Sequence, residues 1–559
     1  MLSDISLSTL FQNLLEFPYS YTTSFKKCVD KCRKDYDTGY THECIGVFME
    51  PKRQIVFIMT DTTRWDMVGC YGYPDMKTPE LDKLASEGVR YNKAYSCQPV
   101  CGPARSAIFT GRFPHSNGSF TNCVPLWANV KTIGEYLQPA GISTAYIGKW
   151  HLDGGDYFGN GVCPAGYDED YWYDMRCYLE ELSEEDRRKS RKESTSLENG
   201  GIDASFTFAH RIADRAIDFL ERDKDKDFFL VVSMDEPHQP YLCPEPYASM
   251  YEGYELPITP SYYDTLEDKP ELERLWAGDN LKEDKSSLKI KPQLFLGCNS
   301  FADHEIGRVI DKVREVAPDA MIIYTSDHGE ALGAHSLSLK GPSVYEEIAH
   351  IPMIIKGGAY MKAPQGMVYD HVTSHIDLVP TFLDYYGIKV PGELNGVSMR
   401  SIIEDPENNT LHDVVFTEFH RYEQDHDGFG GLQFMRAAIS DSAKLAIHLM
   451  DKDELFDTVN DPYELENHIV DPEYANVRDK LHEDILDMMN RTRDPFRGYQ
   501  WRCRSWNRDK YSPEWECDGY TRQKVTEPGE LQELDYDTGM PITEFVRYKK
   551  KYKKPAGTV

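Results

Sequence analysis

Gln54-Ile-Val-Phe-Ile-Met-Thr60, followed at once by Asp61-Thr62-Thr63-Arg64-Trp65-Asp66, is the stretch that decides the fold. A run that is apolar at every position from Ile55 to Met59 reads as a strand covered on both faces, the pattern of a parallel sheet packed between helices. In open sheets of that kind ligands gather at the carboxyl ends of the strands. Asp61 stands at such an end, and a carboxylate there suits a hard divalent cation.

The same grammar recurs outward along the chain. Strand Thr144–Ile147 leads into Gly148-Lys149-Trp150-His151, Asp227–Met234 into Asp235-Glu-Pro-His238-Gln-Pro240, and Ala320–Ser326 into Asp327-His328-Gly329-Glu330. Lys149 and His151 alternate around Trp150, so in extended backbone they share a face. His238 sits in a loop stiffened by two prolines, which suits a general acid and equally a structural histidine. Asp327 is a second carboxylate at a strand end. Between the strands, Thr78–Gly88 reads as a helix with Thr78 as N-cap, Pro79 in the first turn and Gly88 as its stop. Thr132–Ala140, Ala204–Glu221 and Gln293–Val316 read as further helices. The alternation specifies an α/β fold, a large mostly parallel sheet sandwiched by helices.

Cys97-Gln-Pro-Val-Cys101-Gly-Pro-Ala-Arg105, continuing to Thr110-Gly111-Arg112, places a thiol just ahead of a helix start, with Pro103 in the first turn. Helix N-termini favour anions. Arg105, one turn on, is spaced to return its guanidinium above Cys101 and grip an oxyanion. Cys101 alone also reads as a buried thiol on a helix start.

Composition bounds the partners. The 559 residues carry 62 basic against 93 acidic side chains, a net of −31, which argues against nucleic acid or an anionic membrane surface. No window approaches the roughly eighteen apolar residues of a membrane span. The first residues lack a basic start and a sustained apolar core, so a cytoplasmic location is the expectation. Thirteen cysteines without a disulfide-like framework fit reduced thiols.

Residues 1–50 read as an N-terminal extension, in which Cys28, Cys32, His42 and Cys44 offer zinc-ligand types but match no tight Cys-x2-Cys knuckle, so the segment reads as a helical arm with incidental thiols. Residues 51–400 read as the catalytic α/β domain, with a Pro- and Tyr-rich roof over the cleft at 241–290. From 401 to 490 shorter strands, Val414–Phe419, Phe434–Ser440, Ala443–Met450 and Asp453–Asp457, point to a smaller α+β subdomain on an antiparallel sheet with a helix near 474–489. Residues 491–559 form an aromatic and charged tail that is expected to wrap its own chain or build a homo-oligomer.

Cys101-x-Pro103-x-Arg105 with Thr110-Gly111-Arg112 resembles the signature of type I sulfatases, and the Asp61, Lys149-x-His151, His238 and Asp327-His328 segments follow in that family's order over about residues 50–490. The resemblance implies an alkaline phosphatase-like fold and a sulfuric ester hydrolase. It implies that Cys101 is oxidised to formylglycine (3-oxoalanine) by a formylglycine-generating or anaerobic sulfatase-maturating enzyme. It implies one divalent metal held by Asp61, Thr62, Cys101, Asp327 and His328, with Ca2+ expected first and Mn2+ as the alternative because His328 supplies nitrogen. Thr62 departs from the family's acid or amide at its position. Arg105, Lys149 and Lys340 would neutralise sulfuryl oxygens, His238 would protonate the leaving oxygen, Asp327 would act as base, and His151 would assist. The implied partner is a sulfated small molecule or carbohydrate. Phosphonate monoester and phosphodiester hydrolases share the same residues and are the alternative, with a non-catalytic binding protein a more distant one.

Overall fold

The computed structural model describes residues 50–507, apart from 74, 123, 155–156, 283–284, 286–287, 424–431 and 503, together with 534–536 and 538–541. The Cys28, Cys32, His42 and Cys44 group and most of the tail lie outside the described residues.

The large sheet contains β1 (Gln54–Thr60), β2 (Val89–Tyr95), β3 (Ser143–Gly148), β4 (Phe228–Ser233), β5 (Met321–Ser326), β6 (His350–Lys356) and β7 (Met367–Ser374). Their order is β3-β4-β1-β5-β6-β2-β7. The β1–β4, β1–β5, β3–β4 and β2–β7 pairs are parallel, and β6 runs against both its neighbours. The carboxyl ends of every strand but β6 therefore open on one edge of the sheet. β7 escapes the strand pattern because Asp370 and His371 interrupt it; as the edge strand it is solvated along part of its length.

Period-two alternation in β1 divides its side chains between two cores. Val56 and Ile58 face α1 (Pro79–Ser86), a helix through residues 208–223 and a helix through residues 293–316, where Leu84, Ile212, Phe219, Ile306 and Val309 meet them. Ile55, Phe57 and Met59 face the other way, toward α2 (Cys101–Thr110) and the helix Leu378–Tyr386, whose Phe109 and Phe382 pack edge-on to Phe57. The long helices are those of the sequence pattern: α3 (Phe208–Asp223), capped by the Thr207 hydroxyl accepting from His210 N, and α4 (Gln293–Val316). Thr78 stands at the N-cap of α1 but turns its hydroxyl oxygen to the backbone N–H of Gly69 instead of capping.

The second sheet is antiparallel, in the order β11 (Glu454–Asp457), β10 (Ala443–His448), β9 (Leu432–Ser440), β8 (Val414–Arg421). Helix α6 (Ala475–Arg491), which follows α5 (Leu378–Tyr386), lies on it through Leu481, Ile485 and Met489. This layer docks on α2, since Ala107 and Phe113 share its core with Ala438 and Leu445. β8 is also stitched to the chain ahead of α2: Glu418 N donates to Cys97 O at 2.8 Å and the Thr417 hydroxyl to Ser96 O at 2.8 Å.

Residues 241–290, read above as a Pro- and Tyr-rich roof, are partly helical and partly packed into the core. They hold short helices at Tyr247–Met250 and Glu271–Ala277, bury Tyr262 and Leu256 against Phe295 and Leu296, and send the buried Lys269 to Glu464 O. The described start of the tail wraps its own chain: Trp501 is buried and the Arg504 and Trp506 side chains bond Asp453. Among the described residues no helix is long and apolar enough to cross a membrane.

Candidate active site

β1 and β5 pair in register, Thr60 beside Ser326, and so deliver Asp61 and Asp327 side by side, both fully buried. Arg105 reaches up from the first turns of α2 and joins them: Nε donates to Asp327 Oδ2 at 3.0 Å, Nη2 to Asp61 Oδ2 at 3.2 Å, and Nη1 to Lys149 O and Ser233 Oγ at 2.7 Å each. The guanidinium expected to grip a free oxyanion instead fixes the two carboxylates and two strand ends. The reason is charge: two adjacent buried carboxylates need a counterion more than an empty cleft does.

The α2 N-terminus is pinned from the side. Val100 at the N-cap offers no side-chain cap, and Gly102 N donates to Asn122 Oδ1 at 2.9 Å. On the far side Gly148 lets β3 approach β4, for a Cβ there would lie 1.8 Å from Ser233 O in a backbone at φ 124°. Lys149 N then donates to Ser233 O at 2.8 Å, and its ammonium, inside the sheet edge, donates to Asp61 Oδ2 at 2.8 Å, Asp235 Oδ1 at 2.9 Å and Tyr157 OH at 2.8 Å. Thr62 and His151 both hold positive φ, 73° and 58°, so strained backbone clusters here.

The ligand atoms of Asp61, Cys101, Asp327 and His328 lie within 4.8 Å of one another. Cys101 Sγ is 3.1 Å from His328 Nε2 and 3.7 Å from Asp61 Oδ1. His328 Nδ1 lies 2.8 Å from Gly329 O, which can only accept, so Nδ1 carries hydrogen and Nε2 faces the group. Thr62 adds a hydroxyl that donates to Asp61 Oδ1 at 2.7 Å. Burial and the neighbouring Asp61 charge raise Asp327 to about 7. For Asp61 burial pulls the same way, yet Lys149, His238, His328 and Arg105 together hold its carboxyl well below the usual range. Burial alone would lower His328, but Asp327 and the Cys101 sulfur raise it to about 9. Cys101 is pushed up by burial and Asp61, and Lys340, Lys149 and His328 outweigh them to hold its thiol well below the ordinary value. Asp327 and His328 are thus held above their ordinary values and Asp61 and Cys101 below them, in a group whose ligand atoms are close enough to hold a cation.

Around this pocket stand the remaining expected residues. Lys340 is buried, with Nζ 3.3 Å from His238 Nε2 and 5.9 Å from the centre of the Tyr422 ring. His151 lies against Cys101, its Nδ1 is buried without a hydrogen-bond partner among the described residues, and burial keeps its imidazole below the usual value. Thus Cys101, Arg105, Lys149, His151, His238, Lys340, Asp61, Thr62, Asp327 and His328 all converge on one edge of the sheet.

Three neighbours carry no role in the sequence reading. Asp235 has the same signal as Asp61 and Asp327, an acid at a strand end. Tyr157 comes from a glycine-rich loop, and Tyr422 follows a strand of the other sheet; neither has a local signature.

Residues 53–388 match the Sulfatase family, and residues 338–491 match the family described as N-sulphoglucosamine sulphohydrolase, C-terminal. The uncharacterized sulfatase YidJ of Escherichia coli (strain K12) is 42% identical over 89% of this chain and 99% of its own. A solved structure of BT4656 in complex with its substrate, D-glucosamine-2-N,6-O-disulfate, superposes with a TM-score of 0.66 at 23% identity, covering 80% of this chain and 99% of the other. The phosphonate monoester hydrolase of Agrobacterium radiobacter superposes at 0.64 and 22% identity, over 79% and 96%.

Proposed function

The chain belongs to the sulfatase family, and from that premise we propose that it hydrolyses a carbohydrate sulfate monoester, using a formylglycine made from Cys101 and one divalent metal. The observation that carries the reading is the buried group of Asp61, Cys101, Asp327 and His328 at the foot of a wall of Lys149, Lys340 and His238.

The donor set fits a cation. Two carboxylates, an imidazole nitrogen aimed inward and the Cys101 side chain would hold it, with the Thr62 hydroxyl alongside. Oxygen donors favour Ca2+, and the His328 nitrogen keeps Mn2+ as the alternative. When bound, the metal supplies Lewis-acid stabilisation of charge on sulfuryl oxygens. Formylglycine, once formed, supplies in its hydrated form the attacking hydroxyl.

The chain's own residues do the rest. Arg105 keeps Asp61 and Asp327 in place and offsets their charge. Lys149 and Lys340 bring ammonium groups to the space over Cys101, where a sulfuryl group develops negative charge. Asp327 would take the proton of the attacking hydroxyl, and His151, whose Nδ1 has no partner among the described residues, the second. His238 delivers a proton from Nε2 to the departing oxygen. The free thiols Cys70, Cys97, Cys163, Cys177, Cys243 and Cys298 support a reducing, cytoplasmic setting, where the maturation enzyme would act on Cys101.

The substrate class leans on BT4656, whose substrate is a sulfated amino sugar. The second reading, a phosphonate monoester or phosphodiester hydrolase, is supported by the comparable superposition on the Agrobacterium enzyme. Turnover of matched sulfate and phosphonate esters by protein coexpressed with a maturation enzyme decides between them. Faster turnover of the sulfate ester is the expected result; preference for the phosphonate would transfer the reading to the second class.

A further inference from the structure

Resting on the reading in which His238 protonates the leaving oxygen, we propose that Asp235 and Tyr157 are positioning residues that form a hydrogen-bonded relay to His238 Nδ1 and so present its Nε2 to the leaving group. The relay is carried by three distances and by what each atom can donate or accept. The Tyr157 hydroxyl lies 2.6 Å from Asp235 Oδ1, 2.8 Å from Lys149 Nζ and 3.1 Å from His238 Nδ1. It has one hydrogen and two lone pairs.

Asp235 is acceptor-only when ionised. Burial opposes that charge, but Lys149 and His238 outweigh it and hold the carboxyl below its usual value. The single phenolic hydrogen therefore goes to Asp235. The Lys149 ammonium is donor-only and fills one lone pair. The remaining lone pair can only accept, so His238 Nδ1 must bear a hydrogen. An independent contact agrees: Nδ1 is also 3.0 Å from Gln239 O, a carbonyl that can only accept. The phenol itself keeps its hydrogen, since burial and the Asp235 charge push it well above the ordinary tyrosine value.

With Nδ1 committed, Nε2 is the atom left to face the pocket; at rest it accepts from the donor-only Lys340 ammonium at 3.3 Å, and it takes up a proton from solvent before the transfer. In the transfer the Nε2–H bond breaks, an O–H bond forms on the departing oxygen, and the ring ends neutral with Nδ1–H still on Tyr157. Solvent returns the proton. Asp235 offsets the charge of the imidazolium through the phenol, the division of labour that an acid–imidazole pair performs in acyl-transfer triads. No motif announces it, because Asp235 and His238 share a loop whereas Tyr157 arrives from the segment after β3.

Replacing Tyr157 by Phe keeps the ring that contacts His151 and the Lys149 ammonium, and removes only the hydroxyl. The test is kcat/KM of the matured, metal-loaded full chain for aryl sulfates from 4-nitrophenyl sulfate, whose phenolate leaves unaided, to phenyl sulfate, which needs a proton. Tyr157→Phe is expected to lose about a hundredfold on the poor leaving group and only a few-fold on the good one. Asp235→Asn should follow the same pattern, and Tyr157→Phe should add little to the extra loss on poor leaving groups already present in His238→Ala. Equal losses on all esters in Tyr157→Phe, with His238→Ala still selective, would overturn the relay alone, because the hydroxyl would then act only through Lys149. A His238→Ala enzyme that loses activity equally on good and poor leaving groups would overturn the general-acid role and the relay with it.

Discussion

Two buried clusters in this molecule use the same side chains to opposite ends. At the sheet edge Asp61, Asp327, Cys101 and His328 crowd together; under the second sheet His115, Glu418 and Asp494 do the same. In the second cluster each polar atom is matched within the chain. Arg436 Nε donates to Asp494 Oδ2 at 2.6 Å and its Nη2 to His420 Nε2 at 2.9 Å, while His115 bonds Glu418 Oε2 at 2.5 Å and the Thr492 hydroxyl at 2.9 Å. Burial would raise Asp494, but Arg436 and His115 hold it below the usual value. At the sheet edge Asp327 is raised to about 7 in spite of Arg105. A buried charge cluster that cancels itself is a brace, whereas one whose two acids keep unequal proton affinities, as Asp61 and Asp327 do, suits the cation proposed above.

The largest effect should come from breaking that unequal pair. Asp327→Asn is expected to cut kcat/KM about a thousandfold and abolish stoichiometric metal in elemental analysis. The metal-free protein should keep its melting temperature, because a self-repelling charge has been removed. In the wild type, metal at a thousandfold excess over Kd should add about 4 kcal/mol of stability, an increment the variant lacks. Loss of fold in Asp327→Asn would make the site a brace like the other.

Asp494→Ala should do the reverse. Leaving Arg436 with only Glu418, at 3.7 Å, is expected to cost about 3 kcal/mol in denaturant unfolding, with metal stoichiometry unchanged. Loss of metal binding in folded Asp494→Ala would erase the distinction between the clusters.

Gly148→Ala tests how the sheet positions the site. Its Cβ would strike Ser233 O, so a loss of about 3 kcal/mol and a displaced Lys149, read as a raised KM for sulfate esters, are expected. Unchanged stability and KM would show that β3 can shift freely.

The smallest effect concerns pH and a second brace, in which His335 lies 2.7 Å from Asp264 and 3.7 Å from Glu347. Burial works against both acids, yet His335 holds each at about 2, with Lys269 helping at Asp264 and Arg64 at Glu347. Folded values below the unfolded ones mean stability that is present above pH about 4 and lost as pH falls toward about 2, on the order of 2 kcal/mol apiece. Asp264→Asn with Glu347→Gln should flatten the acid limb of a stability profile in that window; an unchanged limb would remove the brace.

What the sequence makes legible follows from the same contrast. Asp61 and Asp327 are readable because each ends an unbroken apolar strand, and chemistry at strand ends is a rule of the fold. Cys101, Lys149, His151, His238 and Lys340 are readable only through the family resemblance and its order of segments, because each short motif alone also fits a structural role. Arg105 is readable as a site residue but not in its direction, since the pull of two carboxylates from β1 and β5 is a tertiary fact. Tyr157 and Tyr422 are unreadable because nothing local links a glycine-rich loop or the end of β8 to the sheet edge. β7 is missed because a partly solvated edge strand does not need the continuous apolar run that exposes β1.

The most direct test is the mass of the tryptic peptide Ala94–Arg105 from catalytically active protein. Conversion of the Cys101 thiol to an aldehyde exchanges one sulfur and two hydrogens for one oxygen, so a peptide about 18 Da lighter than the sequence is the expected result. An unmodified Cys101 in protein that still turns over sulfate esters would contradict the account at its centre.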